Sequence, residues 1–414
     1  MVKKWHFGRK QTSRHDYELE QSADPRLRML IRVRKAVGSL LIAVTVLFIV
    51  LHIELFTPSS LSNIRSSLEA ASSVSAGDTT VISYSNGTPR SITPFGSGLA
   101  VCSEQMLSFQ LPSSYCQMET ALSYANPVMR ASRQYLLIYD RGAYRFTVAN
   151  TLSELYSLTM QSPVTSADIS ANGSVAVVTA ESGYKSAVTV YNIDHEQLYK
   201  WSSADYYIMS AALSGDGQRL ALFCFKQDGL TLTSKLFFTN IDSDQSPEES
   251  TDMNGSLVLG MQFLGNNTVG VVCDNAAYVV SRGGEMHYQT EYSEDSLFAF
   301  DFSDDRLVLA TKSFTQGSRA DIVLLNSRGM MTRDPLSISA EPNSISFYDG
   351  RLAVLTGDTV TFYSQSLRQI DQQTGLSGVS RVYMRSGGTA IALFGSQARV
   401  LTIGKPLKDF EEAS

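Results

Sequence analysis

The sequence is short of the residues that most hydrolytic and metal chemistry needs. Five histidines occur in 414 residues, and only His195 and His287, both read as loop residues, lie beyond residue 56. No His-x-x-His, His-Glu-x-x-His or Cys-x-x-Cys spacing is present, so a zinc site is not expected. No Asp-x-Asp-x-Asp-Gly loop offers a calcium cradle. Gly-x-Ser-x-Gly is missing, and neither a P-loop nor a Rossmann glycine pattern follows a strand, which removes the usual serine-hydrolase and nucleotide-binding signatures. The paired carboxylates Glu248-Glu249 and Asp304-Asp305 read as solvated turn and loop residues, and nothing singles out an acid–base pair. The expectation is a non-enzyme with no catalytic residues, no metal and no cofactor.

Charge is also scarce, at 18% of residues against 43% hydrophobic. That much apolar surface can offset chain entropy, so the bulk of the chain is folded. Residues 1–56 hold 10 Lys/Arg and 5 Asp/Glu, leaving 24 and 35 for the remainder. A domain with that acidic excess is unsuited to nucleic acid.

One long apolar run is present, residues 36–56, uncharged from Ala36 to Leu51. About 20 such residues, at 1.5 Å rise, cross a hydrocarbon layer of about 30 Å. Arg26, Arg28, Arg32, Arg34 and Lys35 precede it, and the next basic residue is Arg65. The basic flank keeps the amino end inside and sends the C-terminal bulk out. The run reads as an uncleaved signal anchor of a single-pass cell-membrane protein, with 1–35 a basic cytoplasmic tail. Arg32, Arg34 and Lys35 would meet anionic headgroups, and Phe56 the far boundary. Residues 57–78, rich in Ser, form a stalk, either a short helix or a flexible spacer.

From residue 79 onward one unit recurs: a short strand, a Gly/Asn/Asp turn, then a small apolar run. The runs are Leu99-Ala100-Val101, Leu136-Leu137-Ile138, Val175-Ala176-Val177, Leu220-Ala221-Leu222, Val269-Gly270-Val271, Leu307-Val308-Leu309, Leu352-Ala353-Val354 and Ala390-Ile391-Ala392. They recur after roughly 37 to 49 residues, the length of a four-stranded propeller blade. Turns such as Asn172-Gly173, Asp216-Gly217 and Asp349-Gly350 supply the positive φ of tight hairpins and join strands A and B. The last unit has only Thr389–Phe394 and Ala398–Ile403 after its turn, so it lacks a fourth strand. Val81–Tyr84 is placed to supply it and close the ring, leaving no open edge. The fold class is therefore all-β: an eight-bladed β-propeller over residues 79–404, preceded by one transmembrane helix and followed by an acidic tail, 405–414. Seven blades is the alternative, if one weak unit is misread.

The cysteines fit this layout. Cys102, Cys224 and Cys273 end equivalent runs in different blades, and Cys116 lies two strand spacings from Cys102, about 9–10 Å, too wide to bridge. All four read as small buried thiols, which outside a membrane suits a reducing or anaerobic setting.

Propellers expose loops on two faces of a rigid disc. Strand B–C and D–A connections share one face. On it Tyr124–Pro127 joins blades 1 and 2, Tyr139–Tyr144 turns B into C in blade 2, and Trp201–Tyr207 joins blades 3 and 4. Aromatic and Arg side chains dominate interface energetics, which makes Asn126, Asp140, Arg141, Tyr144, Trp201, Asp205, Tyr206 and Tyr207 the candidate partner-binding residues. The same segments also have a structural reading, with Asp140-Arg141-Gly142 as a plain hairpin turn and Trp201 as an anchor between sheets. The A–B turns on the opposite face read as structural.

The motifs Tyr124-Ala125-Asn126-Pro127-Val128-Met129, Leu137-Ile138-Tyr139-Asp140-Arg141-Gly142, Ala176-Val177-Val178-Thr179 and Lys200-Trp201-Ser202-Ser203-Ala204-Asp205, with the basic-then-apolar start, carry a resemblance. The chain resembles a family of uncharacterised single-pass membrane proteins with propeller-like outer domains from clostridial-type bacteria. The resemblance is strongest over residues 95–240 and departs at the acidic insert Asp242–Asp252. It implies location and layout and no activity. The expected function is a non-catalytic scaffold that binds a protein partner outside the membrane. The alternatives are a small-molecule or glycan sensor using the central opening, and a hydrolase or lyase acting on wall polymer.

Overall fold

The small apolar runs lie where the sheets are most deeply covered. Strands Gly98–Cys102, Tyr135–Asp140, Val175–Thr179 and Thr268–Cys273 are buried at every position. A strand covered on one face alternates apolar and polar, whereas one sandwiched between two sheets is apolar throughout. These strands are sandwiched, one in each repeat.

The computed structural model describes residues 36–44, 81–84, 88–112, 115–243, 245–303 and 305–405. Among the described residues, thirty-two strands form eight four-stranded antiparallel sheets. Strand β1 is Val81–Ser83; β2–β5 run from Ser91 to Ala121, β6–β9 from Pro127 to Thr159, β10–β13 from Val164 to Ser203, and β14–β17 from Tyr207 to Asp252. Strands β18–β21 run from Val258 to Glu291, β22–β25 from Leu297 to Ile338, β26–β29 from Ser344 to Gln373, and β30–β32 from Arg381 to Thr402. Seven sheets take their strands in sequence order, and the eighth is ordered β1-β32-β31-β30. There Val81 pairs with Arg399, Ile82 with Ala398 and Ser83 with Gln397. The early β segment thus closes the ring as the sequence predicts, and seven blades are excluded.

Side-chain periodicity explains the stacking. In β15 (Arg219–Asp228), Leu220, Leu222 and Cys224 point to the preceding sheet and meet Ala176 and Val178. Ala221 and Phe223 point the other way and meet Val269 and Val271. The period of two along a strand serves both neighbours at once. One apolar cluster lies between each pair of adjacent sheets, and the last joins Ile82, Ile391, Leu393 and Ala398 to Leu99 and Val101 of the first blade. The outer strands read differently: β21 (Met286–Glu291) alternates half-buried and exposed positions, as expected with one face in water.

The innermost strands are laced to one another around the channel. Asp168 of β10 (Val164–Ile169) accepts the Leu213 N–H of the next blade at 2.8 Å. Asp301 of β22 (Leu297–Ser303) accepts the Phe347 N–H at 2.8 Å. Ser344 and Ser346 accept the Val382 and Met384 N–H groups at 3.3 and 3.1 Å. Each bond satisfies a backbone donor that no strand pairs.

Burial pushes the Asp301 carboxyl up to about 6, against the opposing hydrogen bonds from Phe347, Ser346 and Phe302. A carboxyl raised on folding binds its proton more tightly in the folded state. Its contribution to stability is therefore lost as pH rises from about 4 to about 6 and stays lost above. Asp301→Asn keeps an acceptor for the Phe347 N–H and removes the charge. We expect its melting temperature to exceed that of the parent by about 3 °C at pH 8, from roughly 1–2 kcal/mol after allowance for channel water, and to match it at pH 4. Parallel melts at the two pH values check this.

Some expectations are corrected. Glu248 opens strand β17 (Glu248–Asp252) and does not lie in a loop, and His287 likewise lies in β21. Cys102, Cys224 and Cys273 are buried free thiols, but Cys116, at the start of β5 (Cys116–Ala121), is only half-buried. Burial pushes the Cys102 and Cys273 thiols up to about 12, which makes them inert as nucleophiles at neutral pH.

Residues 36–44 are helical, with Val37, Leu40, Leu41 and Ile42 exposed. Among the described residues no helix is long and apolar enough to cross a membrane. The rest of the 36–56 run, the basic tail with Arg32, Arg34 and Lys35, the residue Phe56, the stalk and residues 406–414 lie outside the described residues.

Candidate functional site

The eight residues singled out by sequence fall into two groups on the B–C and D–A face, and they do not share one role. Asp140, at the end of β7 (Tyr135–Asp140), is only 7% exposed. Its carboxylate accepts the Asn126 N–H at 2.7 Å and the Ala125 N–H at 3.1 Å, while the Arg141 N–H donates to the Asn126 carbonyl at 3.0 Å. Asp140 is therefore a staple between the blade 1–2 connector and its own turn, with one connector N–H on each carboxylate oxygen. The corresponding turn of blade 5 repeats the device, where Asp274 accepts the Leu257 N–H at 2.9 Å. Asn126, Arg141 and Tyr144 remain exposed around the staple.

The second group divides in the same way. Trp201, on β13 (Gln197–Ser203), is half-buried with its ring 6.0 Å from Phe237, and Tyr206 meets Phe237 edge-on at 5.2 Å. Both seal the cluster between blades 3 and 4. Trp201 and Tyr206 thus pack on Phe237, the anchoring role that is the structural reading of Trp201, and each keeps part of its surface exposed. Asp205 and Tyr207 are exposed. The Tyr207 ring stacks on Phe225 at 5.2 Å, and the Lys185 ammonium stands 4.9 Å over its face.

Sequence reading missed the more protruding residues of this face. In blade 4, β15 and β16 (Thr231–Asn240) continue past Phe225, the last partner of the inner strand, to a tip at Gly229-Leu230. Three further residue pairs at about 3.4 Å each carry the hairpin roughly 10 Å beyond its neighbours. Leu230 is fully exposed at the tip, and Phe314, in the B–C loop of blade 6, is 93% exposed. Tyr184, Met209, Leu257 and Leu259 are also exposed on B–C and D–A connections or at the adjoining ends of the inner strands. Exposed apolar side chains thus run over the face from blade 2 to blade 6.

The opposite mouth of the channel holds a cavity of about 590 Å³. Its walls come from seven of the eight blades, all at the ends of inner strands and their A–B turns. The turns read as purely structural from sequence therefore rim this central space. Arg133, Asp168, Asp216, Gln262, Tyr348 and Arg385 supply its charged and polar groups.

Similarity to known proteins adds fold and family. Among solved structures, the C-terminal WD40 domain of Sif2 aligns over 78% of this chain and 99% of its own length, at 11% identity and a TM-score of 0.50. A eukaryotic initiation factor aligns over 79% of this chain and 85% of its own, at 10% identity and a TM-score of 0.53. At these identities the likeness is one of fold. No curated protein matches the sequence. A family model, described as a family of unknown function, matches residues 68–397.

Proposed function

The chain belongs to the DUF5711 family, whose function is unknown, and from the geometry we propose that it is a non-catalytic scaffold that binds a protein partner through the B–C and D–A face. The observation that carries this reading is the run of exposed apolar side chains over blades 2–6, with Leu230 on a projecting hairpin and Phe314 almost fully exposed. Large apolar side chains standing almost fully in water, and gathered on one face, are the kind of surface that a partner covers. Aromatic side chains with an adjacent cation, as in Tyr207 and Lys185, are the groups that anchor protein interfaces.

We further propose that the partner is met outside the cytoplasmic membrane, with the chain held by its apolar run 36–56 and its basic tail inside. The support is the length and charge asymmetry of that segment. Protease added to intact cells should digest the propeller and spare the tail; digestion only after lysis would reverse the orientation.

The partner reading is tested with tagged full-length chain captured from solubilised membranes, compared between the parent and Leu230→Asp with Phe314→Asp. Both side chains are free of packing, so the double variant should melt as the parent does. Its recovered partner should fall at least tenfold. A partner retained in full would remove this face as the interface.

A further inference from the structure

The central cavity opposite that face carries a separate inference, because the hydrogen-bonding capacity of its walls is lopsided. Its two carboxylates already accept protein donors. Asp168 accepts the Leu213 N–H at 2.8 Å. Asp216 accepts the Ser214 hydroxyl at 2.5 Å and the Gln218 N–H at 3.1 Å. Its guanidiniums are not used up. Arg385 spends one N–H on the Gly96 carbonyl, which leaves the rest of its five donors. Arg133 lines the same space without an ion pair among the described residues. Arg130, on the inner strand that leads into the Arg133 turn, stands close enough to Asp168 to oppose the rise that burial imposes on that carboxyl. Gln262 and Tyr348 add further donors. The guanidiniums of Arg133 and Arg385 are therefore the charged groups of the wall with the most hydrogen-bonding capacity left over.

Backbone conformation points to the same residue. Arg133 has a φ of +44°, a left-handed conformation costly for a long side chain and ordinarily filled by Gly, Asn or Asp. The A–B turns of other blades fill it so, with Gly96, Gly217 and Gly350 at positive φ. Only the blade 2 turn, Ser132-Arg133-Gln134, contains none of Gly, Asn or Asp. A strained residue at a cavity mouth is held by the surrounding structure, and such strain gathers at ligand-binding positions.

We propose that the central cavity binds a small organic anion, carrying carboxylate or phosphate, between Arg133 and Arg385. The volume suits a metabolite-sized solute, and a planar guanidinium matches either head group with two parallel bonds. The site is independent of the partner-binding face.

Calorimetric titration of the full-length chain tests it, with succinate and inorganic phosphate as probes and glucose and putrescine as neutral and cationic comparators. One of the two anions should bind saturably at one per chain, and which one identifies the head group; the comparators should not bind. Arg133→Gly should weaken that binding at least tenfold while the unliganded protein melts at the same temperature or about 2 °C higher, since glycine relaxes the turn. Arg133→Gln, which keeps the strain, should weaken binding without the rise. Absence of saturable binding by both anions overturns the proposal, as does an affinity unchanged in both Arg133 variants.

Discussion

Ile82→Asp is expected to lower the melting temperature by more than 10 °C and to make the protein self-associate. Ile82 is fully buried among Leu99, Val101, Ile391, Leu393 and Ala398, the cluster that joins the last blade to the first. Only three residue pairs hold β1 to β32 (Gln397–Thr402). A carboxylate at this point finds no partner in the cluster, and burying it costs several kcal/mol. The loss is not confined to one side chain. With β1 released, the ring opens between its terminal blades, and β32 presents unpaired backbone donors and acceptors, which template pairing with a second chain. Ser83→Asp, one residue on, is the control, because Ser83 is exposed and should tolerate the charge. Thermal melts with size-exclusion chromatography read both effects. An Ile82→Asp protein that stays monomeric and melts within 3 °C of the parent would show that the closure carries little of the stability.

The second large effect is expected from a single methyl group. Gly98 begins β3 (Gly98–Cys102), and a Cβ at that position would stand 2.0 Å from the Gln110 carbonyl oxygen and 2.9 Å from its carbon. Those are backbone atoms of the adjacent strand β4 (Met106–Gln110), so no rotamer change relieves the overlap. The strands must separate where Leu99 pairs with Gln110. Gly98→Ala should therefore cost about 3 kcal/mol or more, in the range of severe overpacking. Gly142→Ala is the comparison, with a φ of +84° and nothing within 4 Å of its Cβ, so only the conformational cost of about 1 kcal/mol applies. Chemical denaturation of the two variants should separate them by about 2 kcal/mol. Equal losses would mean that close approach at Gly98 is not what that glycine provides.

How far sequence reaches can be judged from particular residues. The B strands are readable because a strand covered on both faces is apolar along its middle with polar residues only at its ends, as in Val175–Thr179 and Thr268–Cys273. The closing strand was readable because Ala398–Ile403 had no successor, and Val81–Tyr84 had no blade of its own. The apolar run 36–56 is equally plain in sequence, while the described structure covers only residues 36–44 of it.

The binding face was only half readable. An Asp before an Arg-Gly turn looks the same whether it staples a neighbouring connector or meets a partner. What decides it is the nearness of the Ala125 and Asn126 N–H groups, which depends on how two blades pack. Trp201 and Tyr206 find Phe237 more than 30 residues away in the chain, so their burial has no local sign. Leu230 and Phe314 have no local sign either, because exposure at a hairpin tip or in a loop depends on how far that segment outreaches its neighbours. Arg133 did leave a signal, as the arginine in the one A–B turn without a turn-forming residue. That signal is masked because the A–B turns as a set read as structural.

The eight-sector ring closed by its own ends is the claim from which both the face and the cavity follow. Engineered cysteine pairs test it most directly. In the closed ring Val81 and Arg399 face each other across an antiparallel pair, about 4.5–5.5 Å apart at Cα, within reach of a disulfide. Val81 and Gln397 are offset by two residues, about 7–8 Å, and out of reach. On mild oxidation of the full-length chain, Val81→Cys with Arg399→Cys should link in high yield, found as the joined peptide by mass spectrometry, and Val81→Cys with Gln397→Cys should not. No link in the first pair, or equal linking in both, would contradict the closed ring.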